Sequence, residues 1–471
     1  MDRIETETNL LSRMNRLPIT RVQVTIVVLL VLAWIIEAFD IGIVGSSILM
    51  LKKLWDLNAG QLGVLGISST IGIALGLIPS GRLADLYGRK KILLYGVAVF
   101  GTFTLLAAFT PSFWAIVVFR GLAGLGEGAV FPIPYLMLSE FINISRRGAS
   151  VGVSNGALTA AYVFPSLVGA WAINSFPLAE AWRIPYFMGG IPLLFLVPLA
   201  LWLPESPRFL LKKDRIDEVR HLVERIETYA HIPHDDQVMD RPVLTILRET
   251  GNRPIHYSTL FRSPYLSRSI ISWLAYTGTL FMFYTMLVYS PTIFHSEGFT
   301  LGNATLLTGL LMVVAGGGSL VQGYLSDYLG RKWLYGIFAG IAVVGLLLLA
   351  FHVSKSWMIG AGILTFLFGL GIYPVAKLYI AEQYPTRLRG TGSAFGEMIA
   401  RTIAGIGFAY IVPTILVVGG VKTVFLIVAI AMVVLVTPAM IWGRETSNIS
   451  IEESGTDLSL GVPSSPQATG L

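Results

Sequence analysis

The sequence predicts an all-α membrane protein of twelve transmembrane helices, arranged as two six-helix halves related by pseudo-symmetry. Three observations carry this reading. The 471-residue chain is 54% hydrophobic and only 13% charged, whereas a soluble domain is usually ~25% charged, so it holds more apolar surface than a soluble core buries. Its apolar residues gather into segments long enough to cross ~30 Å of hydrocarbon, which takes roughly 20 residues each. One motif also occurs twice: Gly81-Arg82-Leu83-Ala84-Asp85-Leu86-Tyr87-Gly88-Arg89-Lys90 recurs as Gly323-Tyr324-Leu325-Ser326-Asp327-Tyr328-Leu329-Gly330-Arg331-Lys332, each matching residue offset by 242. The same offset carries Pro132 onto Pro374, Glu140 onto Glu382, Arg147 onto Arg389 and Gly148 onto Gly390. Parallel repeats of this kind characterise membrane proteins that rock two halves about a central site.

The segments fall at about 22–50, 61–82, 91–110, 113–138, 148–174 and 183–203, then at about 268–294, 301–326, 333–353, 357–380, 391–414 and 421–442. They are numbered first to twelfth below. Strand-like alternation is absent, and within lipid each segment must satisfy its own backbone hydrogen bonds, which leaves the helix. The domain plan is therefore an N-terminal segment (1–21), a first half (22–203), a linker (204–267), a second half (268–442) and a Ser-rich tail (443–471) expected to be disordered. The linker carries helical stretches such as Asp214 to Tyr229 and is expected to form a small bundle.

Orientation follows from Lys and Arg. With the N-terminus inside, twenty-six basic residues lie on the cytoplasmic side and five outside (Lys52, Lys53, Arg183, Lys355 and Lys422), while Arg120, Lys377 and Arg401 lie within helices. Both termini are expected in the cytoplasm. This asymmetry accounts for the net charge of +6 without a nucleic-acid partner. The first 21 residues contain no apolar stretch of the kind a cleaved signal peptide needs. There is no cysteine, and the six histidines lack metal-ligand spacing, so no metal or cofactor is expected. Gly121 to Gly128 and Gly316-Gly317-Gly318 lie inside apolar spans without a phosphate-binding lysine, and read as close helix packing. With no catalytic constellation and no ATP site, enzymatic function is not expected, and movement of a solute must draw on a gradient.

The two Gly-x-Leu-x-Asp-x-x-Gly-Arg-Lys loops resemble the signature of the major facilitator superfamily. Arg120-Gly121-Leu122-Ala123-Gly124-Leu125-Gly126, Glu140, Arg147-Gly148 and Pro204-Glu205-Ser206-Pro207-Arg208 resemble its sugar-porter-like branch. Leu17-Pro18-Ile19-Thr20-Arg21 and Glu37-Ala38-Phe39-Asp40 look more like the organic-acid and nicotinate proton symporters of that branch, with Glu37 in place of the first of their two aspartates and Val130 where they often carry an acid. The resemblance implies that Asp85, Arg89, Glu140, Arg147 and Glu205, with Asp327, Arg331, Glu382 and Arg389, form ion pairs that latch the cytoplasmic side. Basic residues alone would serve topology, but Asp85 and Asp327 would not, because acidic residues add little to orientation. Exposed pairs contribute only ~0–1 kcal/mol each, which suits a latch that opens on every cycle.

The charges inside the membrane are candidates for function, since a lone charge there costs ~2.5–3.5 kcal/mol even on insertion scales. Asp40 and Arg120 lie at matching depths of roughly 10–15 Å, within reach of each other. By the 242-residue offset they map onto Met282 and Gly362, so the fold does not need the pair in both halves. In the proteins this chain resembles, such an Asp and Arg are the protonation site and its partner, and those roles pass to Asp40 and Arg120. Glu37 stands one turn from Asp40 on the same face and is read either as a second titrating carboxylate or as a structural hydrogen-bonding group. Glu127 divides between coupling and interhelical hydrogen bonding. In the eleventh segment Glu397 and Arg401 are spaced i, i+4; either they neutralise each other, or the guanidinium fork of Arg401 reads a carboxylate ligand. Their counterparts Asn155 and Thr159 are uncharged. Lys377 is expected to snorkel to the cytoplasmic end, and Tyr276, Phe283, Tyr284 and Tyr289 are candidates to line a cavity.

These observations and the resemblance imply a monomeric, multi-pass plasma-membrane symporter coupling proton entry to uptake of a small organic solute, a carboxylate in first place. A sugar or polyol porter is the alternative, weakened by the absence of Asn and Gln in the seventh segment. A non-transporting sensor of the same fold is the third reading, opposed by two intact loop motifs and Asp40.

Overall fold

Each expected apolar segment is helical in the computed structural model, which describes residues 3–141, 144–232, 257–263, 265–384 and 386–446. Eleven helical runs are long and apolar enough to cross a membrane. The last, Thr391–Trp442, contains Gly420 at φ 72°, ψ −179°. That backbone lies outside any helix and favours glycine, so the run is two spans joined by a tight turn, and the described residues hold twelve. Polar caps set several helix starts at the end away from the termini. Asn58 Oδ1 accepts from Gln61 N at 2.9 Å while Gln61 Oε1 accepts from Asn58 N at 3.0 Å, a reciprocal capping box. Thr300 and Ser354 cap the eighth and tenth helices with one bond each, accepting from Asn303 N and Trp357 N.

The helices of the second half are interrupted where they pass the centre of the bundle. Wide π-helical turns occupy Thr285–Tyr289, Thr365–Leu370 and Arg401–Phe408 in the seventh, tenth and eleventh helices. Such turns carry an extra residue and cluster at functional sites. The fourth helix breaks between Phe113–Val130 and Ile133–Phe141 at Phe131-Pro132, and the tenth resumes at Tyr373-Pro374, the equivalent place in the repeat.

The halves meet along the fifth and eighth helices, where Gly156 packs on Leu320 and Gly169 on Thr305. At the end away from the termini they also close across the first and seventh helices and the second and eleventh. There Gly45 and Gly63 lie so near the backbones of Leu287 and Tyr410 that a Cβ at either would collide.

A second, smaller core lies on the face at which the first span begins and the twelfth ends. The N-terminal segment, read from sequence only as a polar stretch, is a helix over Arg3–Arg16. Leu10, Met14 and Leu17, at i, i+4 and i+7, bury one face against Phe209, Leu210 and Leu211 and against Val219, Val223 and Ile226 of the helix Ile216–Ala230. That linker helix lies close to where the sequence placed one. Arg13 and Glu227 form a bidentate pair at 2.7 and 2.6 Å, both side chains 3% exposed. The rest of the expected linker bundle, 233–256, and the tail beyond 446 lie outside the described residues.

Candidate functional site

Two buried charge clusters and one small cavity occupy the centre of the bundle. In the first half, Arg120 Nη1 donates to Asp40 Oδ2 at 2.7 Å and to Thr104 Oγ1 at 3.1 Å, while Nη2 donates to the Asp40 carbonyl at 3.1 Å. Glu127, about two turns further along the Arg120 helix, brings its carboxylate to 3.6 Å from Arg120 Nη2 and beside that of Asp40. All three side chains are fully buried. Glu37 is fully buried as well, and among the described residues neither of its oxygens has a hydrogen-bond partner. It lies within electrostatic reach of Arg401 and Lys377 in the opposite half. The expected meeting of Asp40 with Arg120 is therefore found, with Glu127 as a further carboxylate on the same guanidinium.

In the second half, Glu397 accepts from Tyr276 Oη at 2.6 Å, from Arg401 Nε at 3.0 Å and from Tyr373 Oη at 3.4 Å. Arg401 Nη2 lies 2.9 Å from Glu397 and Nη1 donates to Tyr284 Oη at 2.8 Å. The four residues expected at a substrate site, Arg401, Glu397, Tyr276 and Tyr284, thus form one network. Lys377 departs from its expected place. It does not snorkel to the helix end but turns inward, with Nζ 4.1 Å from the Phe131 ring, 4.3 Å from Tyr135 and 3.9 Å from Glu397. A cation inside the bundle is held there by aromatic faces and a buried carboxylate within reach of its own side chain. Tyr289, a candidate for the cavity wall, instead donates to the Ala409 carbonyl at 2.7 Å and helps close the far end.

The cavity between the clusters is about 10 Å³, room for about one water. Phe131, Tyr162, Phe283, Tyr284 and Tyr373 line it with Arg401. Its walls follow the repeat: Ile41 and Phe283, Phe131 and Tyr373, Thr159 and Arg401 are pairs offset by 242 residues, each pair facing the same cavity. The supporting contacts repeat too. Tyr135 donates a short hydrogen bond to Asn155, and the equivalent residues Lys377 and Glu397 face each other. The same geometry is neutral in one half and charged in the other. Tyr135, Tyr373 and Lys377 were missed as site residues, although the offset that matched Pro132 with Pro374 would have placed all three.

The loop charges form two smaller clusters. Arg89 pairs with Glu140, which also accepts from Ser206 Oγ at 2.5 Å, and Glu205 accepts from the backbone N–H groups of Arg89 and Lys90 at 2.9 and 3.0 Å. Asp85, exposed, has Lys212 Nζ at 3.9 Å. In the second half Arg331 Nε lies 3.6 Å from Glu382. These pairs stay within one half or its adjoining linker. The side chains of Arg147, Asp327 and Arg389 lie outside the described residues.

The second-half counterpart of Glu205 is Glu445, which sequence reading assigned to the tail because the repeat has slipped by two residues there. Glu445 accepts from the backbone N–H groups of Arg331 and Lys332 at 2.8 and 3.1 Å, and Thr446 Oγ1 donates to Glu382 at 2.5 Å as Ser206 does to Glu140. Each carboxylate sits at a helix N-terminus behind a glycine with positive φ, Gly88 at 106° and Gly330 at 86°. Anionic acceptors at this position stabilise the helix. Glu445→Gln is expected to cost on the order of 1 kcal/mol and to lower the apparent melting temperature about as much as Glu205→Gln. Thermal unfolding of the two purified variants checks this, and a neutral Glu445→Gln beside a destabilised Glu205→Gln contradicts it.

The chain belongs to the family described as "Sugar (and other) transporter", which matches residues 25–458. It is a transporter of small molecules with the major facilitator fold, and not an enzyme. It is 26% identical to the niacin transporter NiaP of Acinetobacter baylyi, over 95% of this chain and 100% of that one. It is also 26% identical to the 4-hydroxybenzoate transporter PcaK of the same organism, over 82% and 84% of the two chains, and 28% identical to a gentisate transporter of Corynebacterium glutamicum, over 80% and 79%. Among solved structures it resembles the xylose transporter XylE from E. coli in a partially occluded inward-open conformation, with a TM-score of 0.75, 17% identity and coverage of 90% of this chain and 98% of that one.

Proposed function

We propose that the chain imports an aromatic carboxylate together with protons, by alternating access across the plasma membrane, with both termini in the cytoplasm. The observation that carries this reading is the guanidinium of Arg401 at the wall of a cavity lined mainly by aromatic rings. A planar fork suits a carboxylate, and the rings suit the flat apolar body behind it. The names of the relatives point the same way: niacin, 4-hydroxybenzoate and gentisate are all aromatic acids. A sugar presents hydroxyls around its whole edge and calls for side-chain amides that donate and accept at once, and no Asn or Gln among the described residues lines this cavity.

Coupling is assigned to Asp40, Arg120 and Glu127, with Glu37 between them and the cavity. Two carboxylates share one guanidinium there, with the third beside Asp40, so protons are the natural balancing charge. The loop clusters at Arg89, Glu140 and Glu205 and at Arg331, Glu382 and Glu445 act as the cytoplasmic latch. Each monomer holds a complete site.

The test is uptake by proteoliposomes holding the purified protein, with an acid exterior. Accumulation of 4-hydroxybenzoate or nicotinate that collapses with a protonophore supports the proposal. Accumulation of xylose or glucose without any carboxylate returns the chain to the sugar-porter reading.

A further inference from the structure

We propose that Glu397 is the resident anion of the binding site: it occupies Arg401 while the site is empty, gives way to the substrate carboxylate, and on leaving takes up a proton that travels with the substrate. This rests on the aromatic-carboxylate reading above and adds a proton-binding group in the second half, apart from the Asp40 cluster.

The first argument is space. Engineered cavities that admit benzene measure about 150 Å³, and the one beside Arg401 is about 10 Å³. A ring bearing a carboxylate enters only if side chains withdraw. The second is donor geometry. The Nε and Nη2 edge of Arg401, the edge that binds a carboxylate through two parallel hydrogen bonds, is taken by Glu397 at 3.0 and 2.9 Å, and Nη1 is taken by Tyr284. No substrate carboxylate reaches that fork without displacing Glu397. The third is the repeat. The position equivalent to Glu397 is Asn155, which bonds to Tyr135 with no charge at all, so the fold holds this corner together without an acid.

Displacement leaves a carboxylate in a buried site with its principal cation gone. The groups that face it are Tyr276 and Tyr284 from the seventh helix, Tyr373 and Lys377 from the tenth, Arg401 from its own helix, Tyr135 from the fourth and Glu37 from the first. Lys377, at 3.9 Å, stays within reach of both Glu397 and an incoming anion. With Arg401 committed to substrate, the remaining set holds two carboxylates and one cation, and a proton on Glu397 restores the balance. No bond other than this O–H is made or broken. The substrate anion and the proton enter as a neutral pair.

The experiment is equilibrium binding of 4-hydroxybenzoate, nicotinate and gentisate to the purified protein between about pH 5.5 and 8, across the range in which a competing carboxylate changes charge, with proton uptake measured by calorimetry in two buffers of different ionisation enthalpy. For the wild type we expect affinity to rise as pH falls and about one proton to be taken up per ligand at neutral pH. Glu397→Gln, isosteric and uncharged, is expected to bind about tenfold more tightly at about pH 7.5 and to lose that pH dependence. Wild-type affinity with the wild-type pH slope in Glu397→Gln overturns the proposal, and so does weaker binding that keeps the slope. Asp40→Asn separates the two proton sites and serves if Glu397→Gln fails to fold: retained proton uptake on binding removes Asp40 as its source, as the proposal requires, and its loss overturns the proposal. If the wild type binds no carboxylate at any pH, the functional reading fails and the proposal falls with it.

Discussion

Asp40→Asn is expected to abolish uptake driven by a proton gradient while leaving substrate counterflow in the same proteoliposomes. The variant fixes the neutral form of the side chain, so the Asp40 deprotonation that resets the empty carrier no longer occurs. Exchange of substrate across the membrane does not require that step. A purely structural ion pair makes a different prediction, because removing one partner of a buried pair costs about 3–5 kcal/mol and the protein would be lost. Here the geometry limits that cost: Glu127 stands 3.6 Å from the same guanidinium and Thr104 at 3.1 Å, so Arg120 keeps acceptors when Asp40 is neutral. Folding and insertion should survive. Full accumulation under a pH gradient by Asp40→Asn would move coupling to Glu37 or Glu127.

Arg401→Ala has the largest expected effect on binding. Truncating one member of a buried hydrogen-bonded charge pair costs about 2–5 kcal/mol, at least about a thirtyfold loss of carboxylate affinity. Arg401→Lys keeps the charge and loses the fork, so its affinity should lie between the two. Lys377, held over Phe131 and Tyr135, keeps one cation beside the cavity wall in either variant, which is why binding should weaken rather than vanish with Lys in place. Unchanged affinity of Arg401→Ala for every transported substrate removes the residue on which the carboxylate reading depends.

Twelve spans, two repeats, the Asp40–Arg120 contact and the Glu397–Arg401 network were all legible in the chain. The spans depend on runs of apolar residues and the Glu397–Arg401 pair on charges one turn apart, whereas the repeat rests on the 242-residue offset and the Asp40–Arg120 contact on matching depth in two helices. Lys377 was misplaced because depth along a helix does not say which way a side chain turns, and Lys has four carbons with which to turn either way. Glu445 was missed for another reason. The 242-residue register holds into the eleventh helix but slips by two before the end of the twelfth, so the residue aligned with Glu205 is Ser447 and the functional match lies two residues before it. The helix at Arg3–Arg16 carries mostly polar residues, and its apolar stripe of Leu10, Met14 and Leu17 gains meaning only when the linker face of Val219, Val223 and Ile226 is set opposite.

That last pairing orders events on the ribosome. The helix at Arg3–Arg16 is synthesised first, yet its partners at 207–230 emerge only after all six spans of the first half. At about 5–20 residues per second the segment waits roughly 10–40 s before Arg13 meets Glu227. When it docks, the first half acquires a finished floor before any of the second half has left the ribosome. Assembly then becomes the joining of two units made in sequence, and a bulky fusion at the N-terminus would burden the earlier unit while one at the C-terminus would not.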